Sequence, residues 1–514
     1  MKHNPLRRVI TLWQFCAVCS ILTLVLYNIP FLRFVSEHAQ MGAMGRAMVL
    51  VTMVVLLLTL NFFAYYLVVR LLRIVGRAVV ALWLFLSGVC TYFIVTYHTM
   101  MDDSMLGNVF NTRYSEASGF VNGRLLLAVV FLGLLPAAWA LVQKVNYGSW
   151  RQFGKWIGGS LAVALAFVAI NFNQVLWVGK YDTELGGLVM PWSYTVNTAR
   201  LISKYRAANR EETKLPDGHF TDNAKSVMVL VIGESARKAN FQLYGYDRPT
   251  NPRLSELDDL HVFDAHSCAT YTTAGVRAIL EHKGTSTLYE ILPNYLFRTG
   301  VDVVWRSANW GEPPVHIDEY VKRDSLAQQY GVTEVYDEVL TLGLKERILQ
   351  SDKRKVLIVL HTTTSHGPDY PRQYPKAFER FSPVCDNVED AQKDLEKLRN
   401  AYDNTVVYTD HYLRNLVDTL RTLTDWNAAM LYVSDHGESL GEGGLFMHGV
   451  PLSMAPREQY EIPLLLWTNN EAHRRIKKVQ NTVDQHVVFH TVLDWLSVET
   501  PVFNPQQTLF EGEP

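Results

Sequence analysis

The stretch AAMLYVSDHGESLGEGGLFMHG, residues 428–449, begins as an apolar run and turns abruptly into Asp435-His436-Gly437-Glu438. The apolar run is typical of a buried strand, whereas the Asp, His and Glu side chains after it bind metals or move protons. Burying such groups without partners is costly. Their position at the end of a buried strand therefore indicates that a ligand and further residues neutralise them.

Two other predicted strands end in the same way. The apolar run 226–233 leads directly to Glu234, and the run 355–361 leads to His366. In an open α/β sheet, ligands bind outside the carboxyl ends of the strands, so these side chains are expected at one edge of one sheet. Each alone is compatible with a helix cap, but together they favour a metal site. Carboxylates and imidazoles without a nearby Cys cluster suit Zn²⁺ or Mn²⁺.

A hydroxyl-rich segment lies between the predicted strands 226–233 and 355–361. The stretch DAHSCATYTTAGVRAILEHKG, residues 264–284, places Ser267, Thr270, Thr272 and Thr273 just before a helical pattern. A hydroxyl beside a metal at a helix N-terminus can be deprotonated and attack phosphorus, and a phosphate is favoured there. An ordinary Ser/Thr capping cluster is the competing interpretation, and this segment by itself favours it.

The 514 residues are too many for one ordinary domain, and the composition divides the chain. A net charge of −2 with 19% charged residues gives no global basic field for nucleic acid. Nearly all long apolar runs lie before about residue 180. Five of them are close to the roughly 20 residues that a membrane-spanning helix needs; they lie near 10–32, 47–69, 78–98, 125–143 and 156–178.

The Lys and Arg residues that flank these runs predict a cytoplasmic N-terminus, so that everything after residue 180 lies on the far side. The predicted domains are a transmembrane domain over 1–180, an interfacial helix (192–205) and linker within 181–224, and an extracytoplasmic domain over 225–514. In this last domain short apolar runs alternate with helical stretches. This pattern predicts a mostly parallel sheet with helices on both faces.

Several motifs identify a family. They include VIGESARKANFQLYGYDRPTNP, TSHGPDY and YVSDHGESLGEGGLFMHGVPLSMAPREQ. The chain resembles the lipid A phosphoethanolamine transferases, a group that includes the mobile colistin-resistance enzymes, within the alkaline phosphatase/sulfatase superfamily. The resemblance implies an N-terminal five-helix transmembrane bundle and a C-terminal α/β domain of alkaline phosphatase type.

The resemblance also implies roles for individual residues. Glu234, Asp435 and His436 would bind a catalytic zinc, with the nucleophile Thr272 as fourth ligand and Thr273 as the alternative. Other positions that match the family's substrate-binding or second-metal residues are His366, His448, Glu438, Asn309 and Thr270. By contrast, His411 and His490 lie in helical patterns and are predicted to be structural.

The implied reaction moves phosphoethanolamine from phosphatidylethanolamine to lipid A or the lipopolysaccharide core through a phospho-threonine intermediate. It would take place on the periplasmic side of a bacterial inner membrane and confer polymyxin resistance. A phosphoglycerol transferase or another metal-dependent phosphotransferase of the superfamily is the alternative, and an inactive binding protein is a third. A sulfatase is disfavoured because Cys268 lacks a Cys-x-Pro-x-Arg setting. Whether Cys268 pairs with Cys385 stays open.

Overall fold

The computed structural model describes residues 9–39, 43–111, 120–170, 181–208, 212–367, 369–385, 394–479 and 481–511. The chain forms two compact units, Met1–Ala207 and Ala208–Pro514. The division between them falls within the segment predicted as interfacial helix and linker.

The first unit is helical. Among the described residues, four helices are long and apolar enough to cross a membrane: Ala43–Leu72, Ile74–Tyr97, Gly123–Val142 and Trp150–Ile170. A fifth span is present if the helical stretches Leu12–Tyr27 and Ile29–His38, which are bent by 60°, count as one. Pro30, in the first turn after the bend, explains the break, because proline has no N–H to continue the preceding helix. The predicted fifth span extends to residue 178, and its end lies outside the described residues.

Shorter elements complete this unit. The helical stretches Leu12–Tyr27 and Gly123–Val142 include π-helical segments at Thr23–Tyr27 and Val129–Leu134, respectively. The described part of this unit also contains the helices Asp103–Asn111, Asp182–Leu188 and Trp192–Ala208, and a strand pair formed by Val9–Thr11 and Lys144–Asn146. The helix Trp192–Ala208 covers the predicted helix 192–205.

The second unit is built on an eight-stranded sheet. Its strands are β1 (Ser226–Gly233), β2 (Leu260–His266), β3 (Asp302–Ser307), β4 (Glu319–Lys322), β5 (Lys355–His361), β6 (Asn427–Ser434), β7 (Glu461–Thr468) and β8 (Val483–Asp484). They lie in the order β8-β2-β7-β6-β1-β5-β3-β4. Only β7 runs antiparallel to its neighbours, so the prediction of a mostly parallel sheet is confirmed.

Helices cover both faces of this sheet. They are α1 (Thr272–Leu280), α2 (Leu292–Thr299), α3 (Arg323–Tyr330), α4 (Leu344–Leu349), α5 (Leu395–Arg421) and α6 (Val487–Trp495). Strand β1 is buried along its whole length. Its residues Val227, Val229 and Val231 pack in the core that includes α5, while Met228 and Ile232 pack in the core that includes α1, α2 and α6. A strand buried on both faces reads as a continuous apolar run, which is why the sequence predicts it.

The three central strands end side by side. Gly233 of β1 pairs with Ser434 of β6, and Ile232 pairs with His361 of β5. Because all three strands are parallel, the residues that follow them emerge at one edge of the sheet. Beyond β6 a small hairpin, Ser439–Leu440 with Phe446–Met447, returns the chain to the same edge.

Candidate metal centre

Four polar side chains meet at this edge. We call them the inner group: Glu234 after β1, Asp435 and His436 after β6, and Thr272 at the start of α1. His436 Nε2 lies 3.3 Å from Glu234 Oε1 and 3.4 Å from Asp435 Oδ2. Thr272 Oγ1 lies 3.3 Å from both carboxylate oxygens of Glu234 and 3.4 Å from His436 Nε2. All four side chains are buried, with at most 2% of any residue exposed.

These distances fit a tetrahedral metal ion. Nitrogen and oxygen ligands that bind zinc at 2.0–2.1 Å lie about 3.3–3.4 Å from one another, as the inner-group atoms do. Asp435 Oδ2 is buried and has no hydrogen-bond partner among the described residues. A buried carboxylate oxygen without a donor is costly, and an ion bound by the group would remove this cost. The residues present therefore fit a zinc ion.

Hydrogen bonds fix the orientation of two of these side chains. Asp435 Oδ1 accepts from the backbone N–H groups of Ser235, at 3.0 Å, and of His436, at 2.7 Å. This leaves Oδ2 as the oxygen that faces the group. His436 Nδ1 lies 2.8 Å from the carbonyl oxygen of Gly437 and donates to it. Nε2 is then the ring nitrogen directed toward the other members, which is the orientation of a metal-binding histidine.

The charges within the group are strongly coupled. Burial raises the pKa of Asp435, and the nearby Glu234 carboxylate raises it further. Burial acts in the same direction on Glu234, but its hydrogen bond to His436 holds the pKa of Glu234 well below the usual value. Burial disfavours the charged imidazole, yet Glu234 raises the pKa of His436. Two carboxylates this close repel each other, and a divalent cation between them would let both ionise.

Glycines allow Thr272 to approach this closely. A Cβ at Gly275, one turn further along α1, would lie 2.2 Å from the carbonyl oxygen of Asp435. Gly311, in the loop after β3, has a φ of +93°, and a Cβ there would lie 3.3 Å from Thr272 Cγ2. Of the two candidate threonines, Thr272 is the one whose hydroxyl lies in the inner group.

Three predicted residues form a second set beside the first, which we call the outer group: His366, Glu438 and His448. The His448 ring centroid lies 4.3 Å from that of His436 and 5.8 Å from that of His366. His448 Nδ1 lies 3.4 Å from Glu438 Oε2. Within the described part of the chain, Glu438 Oε1 and His366 Nδ1 are buried without hydrogen-bond partners. The outer group therefore has unused polar atoms for a phosphate, a proton or a second ion.

The other two predicted residues hold neighbouring groups in place. Asn309 Nδ2 donates to Glu234 Oε2 at 2.6 Å and to the Thr362 carbonyl at 2.8 Å. Thr270 Oγ1 donates to the Val450 carbonyl at 2.6 Å, so it connects the loop before α1 to the segment that carries His448. The catalytic and substrate-binding roles of all these residues remain predictions.

Gln485 lies just before α6, is 1% exposed, and was not among the residues predicted from the sequence. Gln485 Oε1 accepts from the Cys268 N–H at 2.9 Å, and Nε2 donates to the carbonyls of Ser434, at 2.9 Å, and Asp435, at 2.6 Å. It thus joins the loop before Thr272 to the end of β6. No local pattern marks Gln485, because its partners lie about fifty and two hundred residues away.

Two smaller questions from the sequence are answered by the described residues. Cys268 and Cys385 do not form a disulfide. His411 contacts Arg253 and Asn415, at 2.9 and 3.0 Å, on the side of α5, and His490 binds the His282 carbonyl at 2.9 Å. Both histidines therefore have structural contacts, as predicted.

Known proteins resemble nearly the whole chain. Residues 226–498 match the family described as Sulfatase, and residues 57–205 match the family described as Phosphoethanolamine transferase EptA/EptB. The chain is 38% identical to phosphoethanolamine transferase EptA of Helicobacter pylori over 83% of each chain. It is 30% identical to phosphatidylethanolamine transferase Mcr-2 of Escherichia coli, over 77% of this chain and 80% of that one. The solved structure of the integral membrane protein lipooligosaccharide phosphoethanolamine transferase A (EptA) from Neisseria meningitidis matches with a TM-score of 0.86 and 25% identity, covering 97% of this chain and 98% of that one.

Proposed function

Because the chain belongs to the phosphoethanolamine transferase EptA/EptB family, we propose that it transfers phosphoethanolamine from phosphatidylethanolamine to lipid A or the lipopolysaccharide core. The transfer passes through a phosphoethanolamine ester on Thr272, and the inner group would hold a zinc ion beside it. The observation that carries this proposal is the position of the Thr272 hydroxyl, 3.3–3.4 Å from the ligand atoms of Glu234 and His436.

The proposed first step is a displacement at phosphorus. A bound zinc ion would act as a Lewis acid and lower the pKa of the Thr272 hydroxyl. Thr272 Oγ1 gives up its proton to solvent and attacks the phosphorus of phosphatidylethanolamine, the bond from phosphorus to the diacylglycerol oxygen breaks, and that oxygen takes up a proton. His448, whose ring lies 4.3 Å from that of His436, and His366, whose ring lies 5.8 Å from that of His448, are the proposed proton donors.

In the second step, Thr272 Oγ1 is the leaving group and the acceptor is the nucleophile. An ionised phosphate oxygen of lipid A, or a core hydroxyl that gives its proton to His448 or His366, attacks the same phosphorus, and Thr272 Oγ1 leaves and regains a proton. Asn309 and the backbone donors on Asp435 keep the inner group in one geometry through both steps, which lowers the reorganisation that each transition state requires.

The location follows from the same proposal. Both substrates are membrane lipids, so the apolar helices of the first unit place the enzyme where they are. We propose that residues 1–180 span the bacterial inner membrane, that 181–224 connect, and that 225–514 act in the periplasm. The word lipooligosaccharide in the name of the Neisseria relative supports an acceptor of this class.

The test is mass spectrometry of lipid A and core from cells that express the chain, Thr272→Ala or Thr273→Ala. We expect lipid A to gain the mass of phosphoethanolamine with the wild type and with Thr273→Ala, and to gain nothing with Thr272→Ala. A gain that survives in Thr272→Ala but not in Thr273→Ala would move the nucleophile by one residue. A gain of phosphoglycerol mass on any glycan or lipid would overturn the donor.

A further inference from the structure

A second cluster of metal-binding side chains lies outside the inner and outer groups: Cys268, Asp484 and His486. Cys268 follows β2, Asp484 ends β8, and His486 comes just before α6. Since β8 pairs with β2 so that Asp484 lies opposite His266, the sheet brings the cysteine next to residues more than two hundred positions later. One ligand atom from each of the three lies within 4.8 Å of the others.

The distances in this cluster fit a metal ion with one sulfur ligand. Cys268 Sγ lies 3.6 Å from His486 Nδ1, and that nitrogen lies 3.1 Å from Asp484 Oδ1. A tetrahedral zinc with bonds of 2.3 Å to sulfur and 2.0–2.1 Å to nitrogen and oxygen would separate the same atoms by about 3.6 and 3.3–3.4 Å. A ring nitrogen carries at most one proton, so Nδ1 cannot donate fully to both the thiol and the carboxylate. A metal ion would bind all three ligand atoms.

We propose that Cys268, Asp484 and His486 bind a thiophilic divalent cation of the Zn²⁺ class, separate from the ion of the inner group. The thiolate favours zinc-like ions over Mg²⁺, Ca²⁺ or Mn²⁺, which prefer oxygen ligands. The His486 side chain is 9% exposed and that of Asp484 is 52% exposed, so the site is anchored on one side and reachable from solvent on the other. Three protein ligands leave a fourth position for water.

The site would act on the loop that precedes α1. Cys268 lies four residues before Thr272, and its N–H already binds Gln485, which lies between the other two ligands. A bound ion would therefore clip this loop to the start of α6 at two adjacent points. The proposal goes beyond the transfer reaction and does not depend on it, because the ion would bind whether or not Thr272 is the nucleophile.

Cobalt substitution of the purified full-length chain in detergent tests the site. A thiolate bound to Co²⁺ gives a charge-transfer band in the near ultraviolet, and the inner group contains no sulfur ligand. We expect the band in the wild type, its loss in Cys268→Ser, and its retention in Cys385→Ser and in Glu234→Gln. Elemental analysis should find one fewer zinc ion per chain in Cys268→Ser than in the wild type.

The protein without substitution gives a second readout, which covers the case that Cys268→Ser does not fold. Zinc should slow the alkylation of Cys268 by iodoacetamide, measured by peptide mass spectrometry, and a chelator should restore the rate. A wild-type chain with neither the cobalt band nor this protection would overturn the proposal, and so would a band that persists in Cys268→Ser. The cluster would then be a hydrogen-bonded set only.

Discussion

The inner and outer groups lie side by side, yet the fold holds them in different ways. Glu234 and Asp435 come directly after strands that pair in register, and Thr272 is the first residue of α1. In the outer group, His366 lies five residues beyond β5, and His448 lies beyond a two-stranded hairpin. A site on the ends of regular elements is more precisely positioned than one on loops. In the proposed function, the inner group would hold the ion, and the outer group would contact the substrates.

The largest expected effect tests the inner group. The substitution His436→Gln removes an imidazole whose Nε2 lies 3.3 and 3.4 Å from the carboxylates of Glu234 and Asp435, respectively. We expect one zinc ion per chain, that of the inner group, to be lost and the transferase activity to fall by roughly 10³-fold or more, because a metal contributes several kcal/mol to the transition state at about 1.36 kcal/mol per tenfold. Elemental analysis and a lipid A modification assay measure both.

The matched control for this substitution is His411→Gln, a histidine on α5 that contacts Arg253 and Asn415. It should keep both zinc and activity. If His436→Gln kept as many zinc ions per chain as the wild type, the inner group would not be a metal centre.

The next effect tests the outer group. His448→Asn keeps a polar side chain beside Glu438 but removes the imidazole that faces His436 and His366. We expect activity to fall by roughly 10²–10³-fold, in the range of a lost general acid or base, while the inner zinc stays bound. Kinetics and elemental analysis of the same preparation measure the two quantities. Loss of zinc in His448→Asn would show that the groups are one metal site and not two.

A smaller effect is expected from Asn309, which connects Glu234 to Thr362, the residue after β5. Asn309→Ala removes the donor 2.6 Å from Glu234 Oε2 while leaving every proposed ligand in place. Removing such a supporting hydrogen bond typically lowers metal affinity by roughly 10–100-fold. We expect competition with a chelator to show this loss, and excess zinc to restore activity.

The control for Asn309→Ala is Asn415→Ala, on α5, which should leave zinc affinity unchanged. If excess zinc did not rescue Asn309→Ala, the asparagine would contact the donor substrate directly, as the family resemblance implied, and would not act through Glu234.

The sequence predicted the centre of the sheet better than its edges. Strand β1 is apolar on both faces and appears as a continuous apolar run. Strand β2 was missed because its Val262 and Asp264 face outward while Phe263 and Ala265 are buried, which breaks up the apolar run. The antiparallel direction of β7 was not predicted either, since direction depends on the connection and not on the strand's own residues.

The same distinction holds for the site. Residues that follow apolar runs, such as Glu234 and Asp435, were found because burying a charge at a strand end requires a partner. Thr272 was singled out only through the family resemblance. Gln485 and the cluster at Cys268 were not found, because they join segments about fifty to two hundred residues apart, and only the sheet order brings those segments together.

The smallest expected effect lies at the boundary between the groups, at Thr270. Its hydroxyl donates to the Val450 carbonyl at 2.6 Å, and its own carbonyl accepts from the Gly449 N–H at 2.8 Å, so it connects the Thr272 loop to the His448 segment. Thr270→Val leaves a carbonyl without its donor, which costs about 1–3 kcal/mol of stability. We expect a lower thermal unfolding temperature and an activity loss of no more than about tenfold, since neither the inner nor the outer group loses a member. Thr270→Ser keeps the hydroxyl and should restore both values. If Thr270→Val instead lowered activity as far as His448→Asn at unchanged stability, Thr270 would contact the substrate, and the outer group would extend across the loop before α1.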